Sequence, residues 1–168
     1  MPYFFFKMPV EMSLKSRILD KKDRQILMIL QDNGRESLTN IAKKVGLSID
    51  SVNNRIKAMQ EKGIFSFGIN IDPHAIGFNL IVDNKIKLHN ITEEGRNKFI
   101  GFLKEHKSVI QVSSLMGDFD ITCVIIAKNT DEYNNVTLEI RQKFSNLISD
   151  WRSVLLLKNY KFESYDLV

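Results

Sequence analysis

The sequence predicts an α+β protein in two parts, a three-helix head and a strand-and-helix domain behind it. Three observations carry that prediction. Helix-spaced apolar runs between residues 19 and 63 are separated by cap residues and glycines. The pattern turns to alternation directly after Gly63. The remainder then reads strand, helix, strand, strand, helix, strand, the ferredoxin-like βαββαβ order in which two helices cover one face of an antiparallel sheet. The expected layout is an N-terminal arm over 1–18, a helix-turn-helix over 19–63, an extended hinge over 64–78, and the βαββαβ domain over 79–168.

In the head, Asp20 is placed to cap a helix through Ile26, Leu27 and Leu30, which Asn33-Gly34 stops. Ser37 caps a second helix from Leu38 to Val45, ended by Gly46. Ser48 caps a third from Ile49 to about Glu61, stopped by Gly63. Ile64, Phe65, Phe67, Ile69 and Ile71 then lead to Asp72-Pro73. That stretch is extended and too apolar to be a free linker, so a pairing partner is expected for it.

In the second part, Leu80, Val82, Ile86 and Leu88 alternate with polar residues, the signature of a half-buried strand. Thr92 opens a helix with Phe99, Phe102 and Leu103 on one face. Strands are expected over Val109–Leu115 and Ile121–Ala127, joined by the turn Gly117-Asp118-Phe119-Asp120. Tyr133, Val136, Ile140, Phe144 and Leu147 stripe the second helix, and Val154, Leu156, Tyr160 and Phe162 mark a final strand. The sheet face away from the helices needs a cover, most simply a second subunit.

Charge is distributed unevenly. Residues 1–72 carry twelve Lys/Arg against eight Asp/Glu, while residues 73–168 carry twelve of each. The excess positive charge therefore lies in the head, as a polyanion-binding part would have it. Cys123 is the only cysteine, which rules out an intrachain disulfide and a thiolate metal cluster. Set in an apolar run, it reads as a buried structural thiol. The three histidines lack ligand-spaced companions, and no catalytic triad, metal set or phosphate loop is legible. The expectation is a non-enzymatic cytoplasmic protein without a cofactor, an export signal or a membrane span.

The strongest local signal is Leu38 to Val52. Ala42 is small where the third helix must cross the second, Gly46 supplies the positive φ of the turn, and Ile41, Val45, Leu47 and Val52 form the apolar clasp. An ordinary αα-hairpin needs the apolar spacing but not this Ala/Gly/Val placement. On the third helix, Ile49, Val52, Ile56 and Met59 share one side. Asp50, Ser51, Asn54 and Lys57 occupy the other, with Asn53 and Arg55 on the flanks. This is a polar face of groove size. Asn53 or Asn54 suits adenine, and Arg35, Lys43, Arg55 and Lys57 suit phosphates. Ser48, at the start of the helix, completes the candidate set that faces double-stranded DNA.

These motifs resemble the Lrp/AsnC (leucine-responsive, feast/famine) family of transcription regulators. The matching residues are Leu19-Asp20 with Asp23, Ile26 and Leu27, then Asn33-Gly34-Arg35, Ile41-Ala42, Val45-Gly46-Leu47-Ser48, Arg55-Ile56 and Lys62-Gly63-Ile64. Ile71-Asp72-Pro73, Ile76-Gly77 and Gly117-Asp118-Phe119-Asp120 follow. The ending through Trp151 looks like archaeal members. The resemblance implies a winged helix-turn-helix on an extended hinge, a βαββαβ effector and dimerisation domain, and homodimers that assemble further into tetramers or octamers. It also implies an amino-acid effector at the subunit interface, placed here at Met116, Gly117, Asp118 and Asp120. Met116 departs from the small hydroxyl residue common before that glycine, and Asn53-Asn54 from the basic residues frequent there. A plain hairpin turn explains Gly117–Asp120 equally well.

Two other readings share the layout. Sirohaem decarboxylases have the same two domains, but the histidine followed by Tyr-Asn that marks them is absent from the third-strand region here. An interaction partner of a DNA-binding paralogue would not need the intact Ala42, Gly46 and Val52 framework.

Overall fold

A computed structural model describes residues 19–161 and 163–167. The arm expected over 1–18 lies outside them, as does Phe162. Among the described residues, the chain passes between two units after Ile69 and after Asn159. The final stretch from Tyr160, expected within the second domain, is therefore grouped with the helical head.

In the head, three helices follow in order: α1 (Lys21–Asp32), α2 (Leu38–Val45) and α3 (Ile49–Glu61). Each begins where a short polar side chain takes up an otherwise unpaired N–H. Asp20 and Asp23 form a reciprocal capping box on α1, Ser37 accepts from Asn40, and Ser48 accepts from Ser51. The tight turn between α2 and α3 depends on Gly46, at φ +67°, a backbone region that costs other L-residues about 1–2 kcal/mol. Lys22 Nζ donates to the Val45 carbonyl at the end of α2. Ile26, Leu30, Ile41, Val45, Val52, Ile56 and Met59 are buried together. Residues 65–72 belong to no helix and no strand ladder.

The second unit holds β1 (Leu80–Leu88), α4 (Glu93–Glu105), β2 (Val109–Ser114), β3 (Ile121–Ala127), α5 (Thr130–Lys143) and β4 (Ile148–Leu155). The strands form an antiparallel sheet in the order β2-β3-β1-β4. This is the βαββαβ arrangement expected. Ile86, Leu88, Ile121, Cys123 and Ile125 point to the helix side, where they pack with Phe99, Leu103, Val136, Ile140 and Phe144. The rings of Phe99 and Phe144 lie 4.8 Å apart. Burial pushes the Cys123 thiol up to about 12, so it is an inert core group.

Two expectations need correction. The second helix of this unit ends at Lys143, not beyond Leu147; Phe144 is its C-cap and Leu147 packs from the turn that follows. The last strand runs over Ile148–Leu155 rather than starting at Val154 and continuing through Tyr160. Its inward residues include Trp151 and Ser153, whose polar atoms are bonded to a fully buried Asn84. The outward Val154 and Leu156 are about half exposed. Among the described residues, no helix is long and apolar enough to cross a membrane.

Candidate nucleic-acid interface and effector loop

Burial divides α3 cleanly. Val52, Ile56 and Met59 are buried, while Asp50, Asn54 and Lys57 are exposed and Ser51 and Asn53 half-buried. Ile49, expected with the buried set, is instead 46% exposed in the first turn. It lies one turn from Asn53 and adds an apolar contact point to the polar face. Wheel geometry put it on the core side; only the short α2–α3 turn, which leaves the first turn of α3 uncovered, reveals its exposure. Lys43 on α2 and Lys57 on α3 are exposed and make no ion pair among the described residues. Arg35 is exposed between α1 and α2, and Ser48 holds the Ser51 N–H at 3.2 Å.

Arg55 is occupied elsewhere. Its Nη1 donates to Asp20 at 2.6 Å and to Asp23 at 2.8 Å. Backbone N–H donation from Asp23, followed by the Arg55 side chain, holds the Asp20 carboxyl below its ordinary value. The two carboxylates hold the Arg55 guanidinium above its own. The side chain is thus ion-paired within the head and links α3 to the start of α1. Lys44 is likewise paired with Glu36 at 3.2 Å.

In the other unit, the expected effector loop lies between β2 and β3. Met116 is fully exposed, Asp118 is exposed, and Gly117 has φ +146°. Asp120 turns inward: its Oδ2 accepts the Leu88 N–H at 2.7 Å, and its own N–H donates to Ile86 at 3.0 Å. These bonds close the end of β1, leaving Met116, Gly117 and Asp118 as the outward members of the loop. Arg96 on α4 reaches Ser114 at 2.8 Å beside it.

Comparison with known proteins gives the same two parts. Residues 19–60 match the AsnC-type helix-turn-helix domain, and residues 84–165 match the Lrp/AsnC ligand binding domain. The HTH-type transcriptional regulator FL11 of Pyrococcus horikoshii is 32% identical over 120 residues, 70% of this chain and 76% of that one. Ptr1 of Methanocaldococcus jannaschii, also an HTH-type transcriptional regulator, is 31% identical over 147 residues, 86% of this chain and 95% of that one. The AsnC family regulator of Agrobacterium tumefaciens superposes with a TM-score of 0.79 at 25% identity, covering 89% of this chain and 97% of that one. A transcriptional regulator–L-Met complex from Neisseria meningitidis gives a TM-score of 0.78 at 22% identity, covering 86% and 94%. Two family domains in the right order, on a head and a sheet whose geometry fits both, make this chain a member of the Lrp/AsnC family of transcriptional regulators.

Proposed function

We infer that the protein acts as a dimer that places α3 of each copy in successive major grooves of DNA and binds a specific site. The observation that carries this reading is the divided helix. One face of α3 is sealed into the head, and the other offers Asn54, Lys57 and Ile49 to the outside with Lys43 nearby. Asn53 or Asn54 reads an adenine edge, Ile49 meets a thymine methyl, and Lys43, Lys57 and Arg35 take phosphates. Asp50, in the first turn, repels phosphate and so favours contact over a base edge.

Dimerisation is supported by surface that one copy leaves open. Phe67, Ile69 and Ile71 on the stretch between the head and Asp72 are exposed, as are Val154 and Leu156 at the sheet. An apolar segment whose backbone is in no ladder is open to pairing with a second copy. A small effector acts on the assembly through the second unit, in line with the ligand-binding domain it matches and with L-Met in the Neisseria relative. The experiment is a footprint on DNA upstream of the protein's own gene, at low and moderate salt. A protected stretch of two half-sites one helical turn or a multiple apart is expected. Equal affinity for that DNA and random duplex would reject site-specific binding.

A further inference from the structure

Lys22, in the first turn of α1, turns its ammonium inward and donates to the Val45 carbonyl, where α2 ends. The last carbonyls of a helix have no donor within the helix, and a cation is favoured there. The same ammonium sits over the turn that leads into α3, since a Cβ placed on Gly46 would come 3.7 Å from it. A second tie runs from the same turn of α1 to the middle of α3, where Asp20 and Asp23 accept from Arg55 at 2.6 and 2.8 Å. Those two carboxylates are themselves held. Asp20 accepts the Asp23 N–H at 2.8 Å, and Asp23 accepts the Asp20 N–H at 3.2 Å. Between the ties lie the turn and the part of α3 that carries Ile49, Asp50, Asn53 and Asn54. Four residues at the start of the head therefore grip both ends of the reading segment.

Val52, Ile56 and Met59 set how deep α3 lies in the head, but apolar contact is non-directional. Charge-assisted hydrogen bonds are directional, and a pair of them at the two ends of a segment sets its rotation and tilt. A recognition site has to be held to within about 0.5 Å and about 10–20° to keep its contacts. We propose that Lys22 is a positioning residue for base reading. Without touching DNA, it holds the turn before α3 so that Ile49, Asn53 and Asn54 meet base edges in register. Its ammonium is engaged inside the head, so it acts on sequence discrimination and not on phosphate neutralisation. The proposal rests on the reading of α3 as the helix that enters the major groove.

The experiment uses the full chain and the sequence that wild type enriches from a library of random duplexes. Wild type is compared with Lys22→Met, which keeps the reach of the side chain but not the ammonium, and with Lys22→Arg, which keeps a charged donor. Affinity for the enriched sequence and for random duplex is measured across a salt series, and urea melts check that each variant is folded. Lys22→Met should lose about tenfold on the enriched sequence, the effect of one misplaced base contact. Its affinity for random duplex and its salt slope should stay as in wild type. Lys22→Arg should recover most of the loss. Equal weakening on both duplexes, with a slope lower by about one, makes Lys22 a phosphate contact and overturns the proposal. Discrimination that is unchanged in Lys22→Met, whatever its urea midpoint, leaves only a stabilising contact and overturns it as well. So does a Lys22→Arg protein as defective as Lys22→Met, because the tie needs only a charged donor. Wild type that enriches no sequence removes the reading of α3 itself, a failure distinct from the other three.

Discussion

The side-chain amide of Gln31 and the backbone of Tyr165 are joined by two reciprocal hydrogen bonds: Nε2 donates to the Tyr165 carbonyl at 3.0 Å, and the Tyr165 N–H donates to Oε1 at 2.9 Å. Gln31 stands in the last turn of α1, and Leu167 packs against the core of the same head. The end of the chain is thereby part of the helical unit although 134 residues separate the partners. Gln31→Ala removes both bonds and leaves a better helix former. Global stability should change by under about 1 kcal/mol because the bonds are exposed. Amide exchange at Tyr165 should accelerate severalfold; an unchanged rate would show that the pair does not hold the tail.

Arg55 and Lys57 are two residues apart on α3 and should behave differently in DNA binding. Lys57 is exposed and unpaired among the described residues, so Lys57→Ala should lower the slope of log affinity against log salt by about one. Arg55 is already neutralised by Asp20 and Asp23. Arg55→Ala should leave the salt slope alone and destabilise the head by about 1 kcal/mol, as expected for a partly exposed ion pair. The two effects separate in a salt series and a urea melt. A reduced slope in Arg55→Ala, with stability unaltered, would return that residue to the phosphate contacts.

The buried Asn84 is the polar centre of the second unit. Its Oδ1 accepts from Tyr133 at 2.6 Å, from Ser153 at 2.8 Å and from Trp151 at 3.1 Å, while its Nδ2 donates to Val82 at 3.0 Å and to Cys123 at 3.3 Å. Both N–H groups are used and three donors crowd the two lone pairs of Oδ1, so no polar position of the amide is left unmet and burying it costs little. Asn84→Ala removes the acceptor that three donors share, leaving Tyr133 and Trp151 only Ser153 Oγ, at 2.7 and 3.1 Å, and should cost about 2–4 kcal/mol. Tyr133→Phe removes one donor of three and should cost about 1 kcal/mol. The double variant should fall short of their sum, since both act on one network. Urea unfolding of the four proteins checks this, and strict additivity would mean the network is not a unit.

How much of this was legible beforehand follows from how far apart the interacting residues are in sequence. Asp20, Ser37, Gly46, Ser48 and Thr92 act on neighbours within a few residues, and the helix ends they set are found where expected. The last strand was not legible because its inward face reads Trp151 and Ser153. Those residues look like a solvated face until Asn84, on another strand, supplies their partner. The pairing of Arg55 was hidden for the same reason: a helical wheel places it beside the polar face, and only folding brings Asp20, 35 residues away, within 2.6 Å. Asp120 sits in a turn-like sequence, yet its carboxylate holds the Leu88 N–H on β1. Short-range caps are visible in sequence; long-range polar pairs are not.

The Asp20–Arg55 pair also fixes how the head responds to acid. Asp20 has an ordinary value of 3.8 and a lower one in the folded protein, first from the Asp23 N–H and then from Arg55. A carboxyl lowered by folding contributes stability above its unfolded value and loses it as pH falls through the folded one. Asp20→Asn isolates the contribution of the charge, because asparagine caps a helix as well as aspartate does. Wild type should exceed Asp20→Asn by under about 1 kcal/mol, water screening an exposed pair, and by a constant amount between about pH 5 and 7. Below 3.8 the gap should close, since the protonated carboxyl no longer attracts Arg55. Urea midpoints of both proteins across that range measure it. A gap that stays constant down to about pH 2 would mean that the advantage of Asp20 is not its charge.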